Sequence, residues 1–228
     1  MPPRHPAAIS ARTYVRYLGR VSTLQLTLSG ACDPAVNRAA TFERIELDDR
    51  SWIEVARDWP LGADTLLDAL VDRVDWRQGR RHMYDRMIDD PRLSRWYTAH
   101  APLPHPALAK MRRALARQLG VPLGSTGLNY YRDGNDSVAW HADRELRKLD
   151  DTRIAIVTLG ARRAFLVRPK GGGRSHDVKP GSGDLLVMGG ACQLGWEHSV
   201  PKTKYAGPRI SCSWRWTKNE PAENTEPA

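Results

Sequence analysis

The chain has 228 residues, 41% of them hydrophobic, which is enough for one large domain or two small ones with a core that needs no disulfides. Its three cysteines, Cys32, Cys192 and Cys212, form no C-x-x-C motif, which argues against a disulfide scaffold and a zinc ribbon and favours a reducing cytoplasm. No apolar run approaches the roughly 20 residues that cross a bilayer, so no membrane association is expected.

The formal net charge of +9 is unevenly distributed. The first 40 residues hold five arginines and one acid and carry +4, which predicts a flexible basic extension, with a transit peptide as the alternative. The tail 218–228 carries −2 and is expected to be disordered. The +7 that remains on residues 41–217 indicates a phosphate-rich partner, although solubility alone explains many basic proteins.

Two amphipathic helices are predicted in the first half of the chain. The first spans 62–76, with Asp64 as its cap. Its apolar face consists of Leu66, Leu67, Leu70, Val71 and Val74. The second spans 105–120, with Pro106 in its first turn and Gly120 at its end. Its apolar stripe consists of Leu108, Met111, Leu115 and Leu119. The Arg-, Met- and Tyr-rich segment between the helices is predicted to be a loop, and both helices are expected to precede the strands.

The character of the sequence changes at Gly127. Short apolar or alternating runs follow, divided by Gly, Pro and Asp: "LNYY", "SVAWHAD", "RIAIVTLG", "RAFLVR", "GDLLVMGG" and "RISCSWRW". Many short strands with turn signals between them are typical of a sandwich or barrel. The sequence therefore predicts a mainly β fold with flanking helices (α+β), in which two or more helices precede a jelly-roll core, a double-stranded β-helix, over about residues 127–217.

The run "SVAWHAD" carries the first candidate for chemistry. In an extended strand, His141 and Asp143 share one face while Ala142 points to the other. Such a pair can bind a metal, but most often it is a surface histidine beside a solvated carboxylate. His198, in "GWEHSVPK", offers a third ligand from another strand.

The last predicted strand carries a second candidate. In "RISCSWR", Arg209, Ser211, Ser213 and Arg215 occupy every second position and so share a face. The alternative is the solvent-facing side of an edge strand. The same spacing in "LNYY" places Asn129 and Tyr131 on one face.

Together these side chains suggest one kind of metal chemistry. Two histidines and one aspartate form a facial triad, which leaves three positions open on iron(II) for a co-substrate and oxygen. A dicarboxylate such as 2-oxoglutarate needs an arginine at its far carboxylate, with hydroxyl or amide donors beside it.

The order N-x-Y, H-x-D, H and R-x-S-x-S-x-R resembles the AlkB family of iron(II)- and 2-oxoglutarate-dependent dioxygenases, over roughly residues 41–217. The resemblance implies a lid for nucleotide recognition at about residues 80–105, which includes "MYDRMIDDPRLSRWY". It implies that the iron ligands, and so the catalytic centre, are His141, Asp143 and His198. It also implies that 2-oxoglutarate is held by Asn129, Tyr131, Arg209, Ser211 and Arg215.

The resemblance implies an activity as well. 2-Oxoglutarate and oxygen would yield succinate and carbon dioxide, while an N-methyl group of 1-methyladenine or 3-methylcytosine is oxidised and leaves as formaldehyde. The expected substrate is alkylated nucleic acid, DNA before RNA, and the expected state is a monomer. Two alternatives stay open: the same chemistry on RNA, protein or a small molecule, and a non-catalytic nucleic-acid-binding module with a decayed iron site.

The chain departs from the family's pattern in two places. Ser211 stands where the best-known members carry Asn, and "YTAHAPLPHP" replaces the longer hairpin of the members that repair duplexes. The short lid favours a single-stranded substrate. Glu145, two residues after Asp143, is expected to face the exocyclic amine of the base, with a solvated pairing to Arg144 or Arg147 as the alternative. Tyr97 is expected to contact the substrate from the lid, and Trp96 to lie in the core.

Overall fold

The computed structural model describes residues 32–83 and 85–217. Most of the predicted basic extension and the whole of the predicted tail 218–228 lie outside these residues. The described residues from Asp33 onward belong to one compact unit. Within that unit, residues 35–36 pair with residues 60–61, so the end of the predicted extension is part of the folded body.

Fourteen strands and three helices are found among the described residues. The strands are β1 (Ala35–Val36), β2 (Phe42–Glu46), β3 (Ser51–Ala56), β4 (Pro60–Leu61), β5 (Arg77–Met83), β6 (Arg86–Tyr97), β7 (Thr126–Tyr131), β8 (Val138–His141), β9 (Thr152–Gly160), β10 (Leu166–Pro169), β11 (His176–Asp177), β12 (Asp184–Gly190), β13 (Trp196–Val200) and β14 (Arg209–Thr217). The helices are α1 (Ala63–Arg73), α2 (Pro106–Leu119) and the single turn α3 (Cys192–Gly195). No helix in the described part of the chain is long and apolar enough to cross a membrane.

The strands β7 to β14 form a jelly roll. The large sheet has the order β2-β3-β12-β9-β14-β7-β6-β5 and the small sheet the order β11-β10-β13-β8. The chain therefore enters the small sheet at β8 and returns to the large sheet at β9. It crosses to the small sheet again for β10 and β11, returns to the large sheet for β12, and crosses once more for β13. All these pairings are antiparallel. The predicted mainly β fold with a jelly-roll core is confirmed.

The large sheet separates two hydrophobic clusters. On one face, Ile210 and Trp214 of β14 pack with Leu66 of α1 and Leu108 of α2. The other face meets the small sheet, where buried residues such as Ile156 belong to a second cluster. Alternation along the strands produces both clusters, since successive side chains point to opposite faces. The helices thus cover the outer face, and the site described below lies on the inner one.

The helices form where the apolar stripes predicted them, with one correction at a cap. α2 begins at Pro106 and ends at Gly120, whose φ of 66° closes the helix in the left-handed conformation. α1, however, is preceded by Gly62 at φ 65° and has no side-chain cap. The prediction that Asp64 caps α1 is wrong, because the chain enters the helix two residues earlier through the glycine. Asp64 instead accepts a hydrogen bond from Ser182 Oγ, 2.5 Å away.

The segment between α1 and α2 is a β-hairpin and not the predicted loop. β5 and β6 pair with each other, and β6 also pairs with β7, so the hairpin extends the large sheet. Some strands therefore precede α2, contrary to the expected order. The hairpin escaped prediction because "RQGRRHM" has almost no apolar residues to alternate. Strand pairing and contacts such as the Arg80–Asp89 ion pair, 3.1 Å, hold it instead.

Candidate active site

Three side chains with metal-binding groups converge where β8 meets β13. His141 ends β8 and lies opposite His198 in the antiparallel register of β13. Asp143 follows two residues after His141 and returns to the same side. One potential ligand atom from each of the three lies within 4.8 Å of the other two. Two imidazoles and one carboxylate at this spacing fit an iron(II) site with open positions, as the sequence pattern predicted.

Neighbouring groups fix the orientation of these side chains. Nδ1 of His141 lies 2.9 Å from the carbonyl oxygen of Ala139, which leaves Nε2 to face the other two residues. His198 is stacked on Phe165, with ring centroids 5.4 Å apart. The backbone N–H of Asp143 donates to Oε1 of Gln193 at 2.7 Å. Contacts of this kind hold a ligand set in place before a metal binds.

Burial is the largest influence on the pKa of both His198 and Asp143. It lowers the pKa of His198 to about 3, and the nearby His141 acts in the same direction. For Asp143, burial raises the pKa, but the Arg215 guanidinium, His198 and His141 together hold the pKa below its usual value. The Nε of Arg215 donates to Oδ2 of Asp143 at 2.6 Å. Neutral imidazole and ionised carboxylate are the forms that bind a metal.

The metal-free protein is expected to lose stability as the pH falls below about 6.5. Unfolding releases His198 from burial, so the unfolded chain takes up a proton in a range where the folded protein, with a His198 pKa of about 3, does not. His198 should lower the free energy of unfolding by about 1.4 kcal/mol for each pH unit below about 6.5. Urea unfolding with a chelator present measures the slope. His198→Asn should flatten it, and the exposed His82→Asn should not; equal slopes in the two variants would contradict the prediction.

Arg209, the first residue of β14, is a buried cation with few acceptors. Its side chain is 0% exposed. Its two terminal nitrogens make only long hydrogen bonds, 3.4 Å to the carbonyl of Pro180 and 3.3 Å to Oγ1 of Thr158, and Nε has no partner in the described part of the chain. Burial lowers its pKa to about 10, against the opposing effect of Tyr131. A buried guanidinium with too few hydrogen-bond acceptors fits the far carboxylate of 2-oxoglutarate.

The neighbouring strands β7 and β14 bring the other predicted co-substrate residues together. Asn129 lies opposite Ser211 and Tyr131 opposite Arg209 in their antiparallel register. The Oδ1 of Asn129 accepts a hydrogen bond from Nε of Arg92 at 2.9 Å. Arg92 is on the hairpin strand β6, so the hairpin is tied directly to this group.

A cavity of about 270 Å³ lies between the two sheets, and the three candidate metal ligands open onto it. Asn129, Tyr131, Ser211 and Arg215 also line it. Arg209 is not among the lining residues and lies beside Tyr131, its partner in register on the neighbouring strand. Glu145 is exposed in the turn after β8 and lies outside the lining as well. The cavity therefore gathers the predicted metal ligands and four of the five predicted co-substrate residues, but neither Arg209 nor Glu145.

The positions expected for Trp96 and Tyr97 are exchanged. Trp96, predicted to lie in the core, is 49% exposed and lines the cavity, where the Arg215 guanidinium lies 4.9 Å from its ring centroid. Tyr97, predicted to contact the substrate, packs against the core on the helical side of the sheet. Strand alternation in β6 is the reason, because successive residues point to opposite faces.

Sequence reasoning missed the four residues of β6 that line the cavity: Arg95 and, at every second position, Arg92, Ser94 and Trp96. This period-two spacing in "PRLSRW" was a usable signal. It was overlooked because the segment was predicted to be a loop. Gly127 in the neighbouring strand β7 accommodates Trp96, since a Cβ there would lie 2.5 Å from the indole ring.

Comparison with known proteins identifies a family model and several relatives of this chain. Residues 64–221 match the family model described as the 2OG-Fe(II) oxygenase superfamily. The alpha-ketoglutarate-dependent dioxygenase alkB homolog 3 of Mus musculus and that of Homo sapiens are each 30% identical over 180 residues, covering 70% of this chain and 63% of the relative. The DNA oxidative demethylase ALKBH2 of Arabidopsis thaliana is 28% identical over 224 residues, covering 80% of this chain and 71% of the relative.

The chain thus spans a little under two thirds of the length of the alkB homolog 3 proteins. The family model, by contrast, covers well over half of the chain and includes every candidate metal and co-substrate residue. The chain belongs to the 2OG-Fe(II) oxygenase superfamily and, within it, to the AlkB family.

Proposed function

We propose that this protein is an iron(II)- and 2-oxoglutarate-dependent dioxygenase that removes N-methyl groups from bases of single-stranded DNA. The observation that carries the proposal is the combination of two features in one barrel. A cluster of two histidines and an aspartate opens onto a cavity, and a fully buried arginine without enough acceptors lies beside Tyr131, which lines that cavity. The cluster fits iron(II) and the arginine fits a dicarboxylate, which are the two components that the superfamily's name implies.

The protein groups have distinct roles in this proposal. His141, Asp143 and His198 hold the iron, and Arg209 binds the far carboxylate of 2-oxoglutarate. Iron(II), 2-oxoglutarate and oxygen supply the oxidation of the methyl carbon, which then leaves as formaldehyde. Arg215 keeps Asp143 ionised and oriented through their 2.6 Å hydrogen bond. Asn129, Tyr131 and Ser211 complete the co-substrate pocket.

The cavity rim supports a nucleic-acid substrate. Trp96 offers an exposed indole face, and Arg92 and Arg95 of the same strand also line the cavity. Aromatic stacking on bases, combined with cations for phosphates, is the usual means of binding single strands. A single strand also avoids the cost of a few kcal/mol for removing a base from a duplex. The name of the Arabidopsis relative, DNA oxidative demethylase, points to DNA.

Trp96→Ala is expected to lower kcat/KM for a methylated oligonucleotide by about 5- to 150-fold, because stacking of a base on an aromatic ring contributes about 1–3 kcal/mol. The turnover of 2-oxoglutarate without nucleic acid should change little. Steady-state kinetics with both assays measures the two effects. Trp140→Ala is the matched control, since Trp140 is half-buried beneath Arg168 and does not line the cavity. An equal loss in both variants would remove the stacking role.

The experiment that tests the proposed function compares formaldehyde release from four substrates. These are single- and double-stranded DNA that carry 1-methyladenine or 3-methylcytosine, RNA with the same lesions, and a methylated peptide. Faster release from single-stranded DNA supports the proposal. Preference for duplex DNA, RNA or peptide would overturn the substrate that we propose. Glu145→Ala tests the predicted contact of Glu145 with the exocyclic amine. This contact stays a prediction, since Glu145 is exposed and does not line the cavity.

We further propose that the protein works as a monomer in a reducing cytoplasm. Cys192 and Cys212 are free thiols buried in the fold, and Cys32 is free and exposed. Burial raises the pKa of Cys192 to about 12, which keeps this thiol protonated and unreactive. Size-exclusion chromatography with light scattering, with and without reductant, tests the monomer.

A further inference from the structure

A second, larger concavity lies along helix α2. This groove, about 960 Å³, is bounded by Lys110, Arg113 and Arg117 of the helix and by Arg38 of the chain segment beside it. Phe42 and Trp59 are among the apolar residues that line it. We refer to it as the α2 groove. Its lining contains four basic side chains and no acidic one.

The three helical cations of the α2 groove have no structural role that the described residues reveal. Lys110, Arg113 and Arg117 are exposed, and none of them has a hydrogen bond or an ion pair with another described residue. Arg112 shows the contrast: its Nη1 donates to the carbonyl oxygens of Ala99 and Gly124, so that guanidinium has a structural role. Within residues 32–83 and 85–217, the other three charges are thus available for a ligand.

The spacing of these cations suits an extended polyanion. Lys110, Arg113 and Arg117 follow the i, i+3, i+7 pattern of a single helical face. From the first to the last, the helix rises about 10 Å. Cations spread over that length can contact successive phosphates of one strand. An isolated small anion would need only one of the cations.

The α2 groove and the active-site cavity lie on opposite sides of the large sheet. Leu108 and Leu115 of α2 pack with Ile210 and Trp214 of β14 on the outer face. Ser211, between them in sequence, points to the inner face and lines the cavity. A ligand in the groove is therefore separated from the active site by the thickness of the sheet.

We propose that the α2 groove binds the sugar–phosphate backbone of single-stranded nucleic acid, as a second contact remote from the active site. The identity of this polyanion rests on the proposed function; the charge and shape of the groove do not. The groove gives the protein affinity for long strands whether or not a lesion is present, and it raises the local concentration of bases near the cavity. Residues 1–31 contain four arginines and no acidic residue, so they carry no negative side chain that could neutralise the groove.

The test compares two triple variants of the full chain that each remove three positive charges. The groove variant combines Lys110→Gln, Arg113→Gln and Arg117→Gln, which remove the helical cations of the groove. The control variant combines Arg174→Gln, Lys202→Gln and Lys204→Gln, which remove three exposed cations elsewhere. Fluorescence anisotropy with unmodified single-stranded DNA of about 30 nucleotides measures affinity across a salt series. Because no lesion is present, failure of the demethylase proposal would leave this measurement unaffected.

The groove variant is expected to bind the long strand at least about 10-fold more weakly, and the slope of log K against log salt should fall by about 2, since each lost phosphate contact removes about 0.7. The control variant should lose much less in both measures. Equal losses in the two variants, or none in the groove variant, would overturn the proposal. A zero-length carbodiimide cross-link from Glu220, Glu223 or Glu226 to Lys110 that persists with DNA present would assign the groove to the chain's own tail and would also overturn it.

Discussion

Asp143→Ala is expected to abolish metal binding and to lower 2-oxoglutarate turnover by more than about 100-fold, the loss that even supporting residues around a metal can cause. Asp143 is the single carboxylate of the three-residue cluster, and its pKa is held low, so it supplies the one negative charge to the ion. Succinate formation measures turnover. Thermal unfolding with and without iron(II) or manganese(II) measures binding independently of activity.

The stabilisation expected from bound metal follows from the metal concentration relative to Kd. At a metal concentration of about 100 times Kd, the wild-type protein gains about 2.7 kcal/mol, which raises Tm by roughly 5–10 °C for a chain of this length. Asp143→Ala should show no such rise. The exposed Asp150→Ala is the control and should keep it. Near-normal turnover or an unchanged Tm rise in Asp143→Ala would contradict the assignment of this ligand.

Arg209→Met is expected to raise the apparent KM for 2-oxoglutarate by about 30-fold to several thousand-fold. Losing one partner of a buried, hydrogen-bonded charge pair costs about 2–5 kcal/mol, which corresponds to that range. The free energy of unfolding without ligands should stay the same or rise. The substitution replaces a buried cation, whose Nε has no partner among the described residues, by an apolar side chain of similar length.

The two readouts together separate a binding role from a structural one. 2-Oxoglutarate should raise the Tm of the metal-loaded wild type but not that of metal-loaded Arg209→Met. The exposed Arg174→Met serves as the control and should behave as the wild type in both assays. An unchanged KM in Arg209→Met would remove the proposed role. A folded variant with a large loss of stability and an unchanged KM would show that Arg209 supports the fold alone.

Much of this protein could be predicted from local pattern. The apolar stripes of α1 and α2, the glycine that ends α2 and the alternation in β7, β8 and β14 depend on the geometry of one helix or one strand. The same alternation predicted that Ser211 and Arg215 share a face, and both line the cavity. His141 and Asp143 were predicted to share a face from the same two-residue spacing, and they do so although β8 ends at His141.

Local pattern failed where a partner elsewhere in the chain decides the structure. The β5–β6 hairpin has few apolar residues and exists because β6 pairs with β7. Its pairing, in turn, decides that Trp96 faces the cavity and Tyr97 the core. The position of Glu145 depends on the course of the turn after β8, which no periodicity describes.

The sequence by itself determined the fold class, the residue types of the metal cluster and the faces that they occupy, because each follows from the period of a single element. Only the tertiary structure decided that His198 lies opposite His141, that Arg209 is buried with too few acceptors, and that the cations of α2 gather into a groove with Arg38. These features depend on sheet register, burial and helix packing. Each of those is a relation between elements distant in sequence, so no window of the sequence contains it.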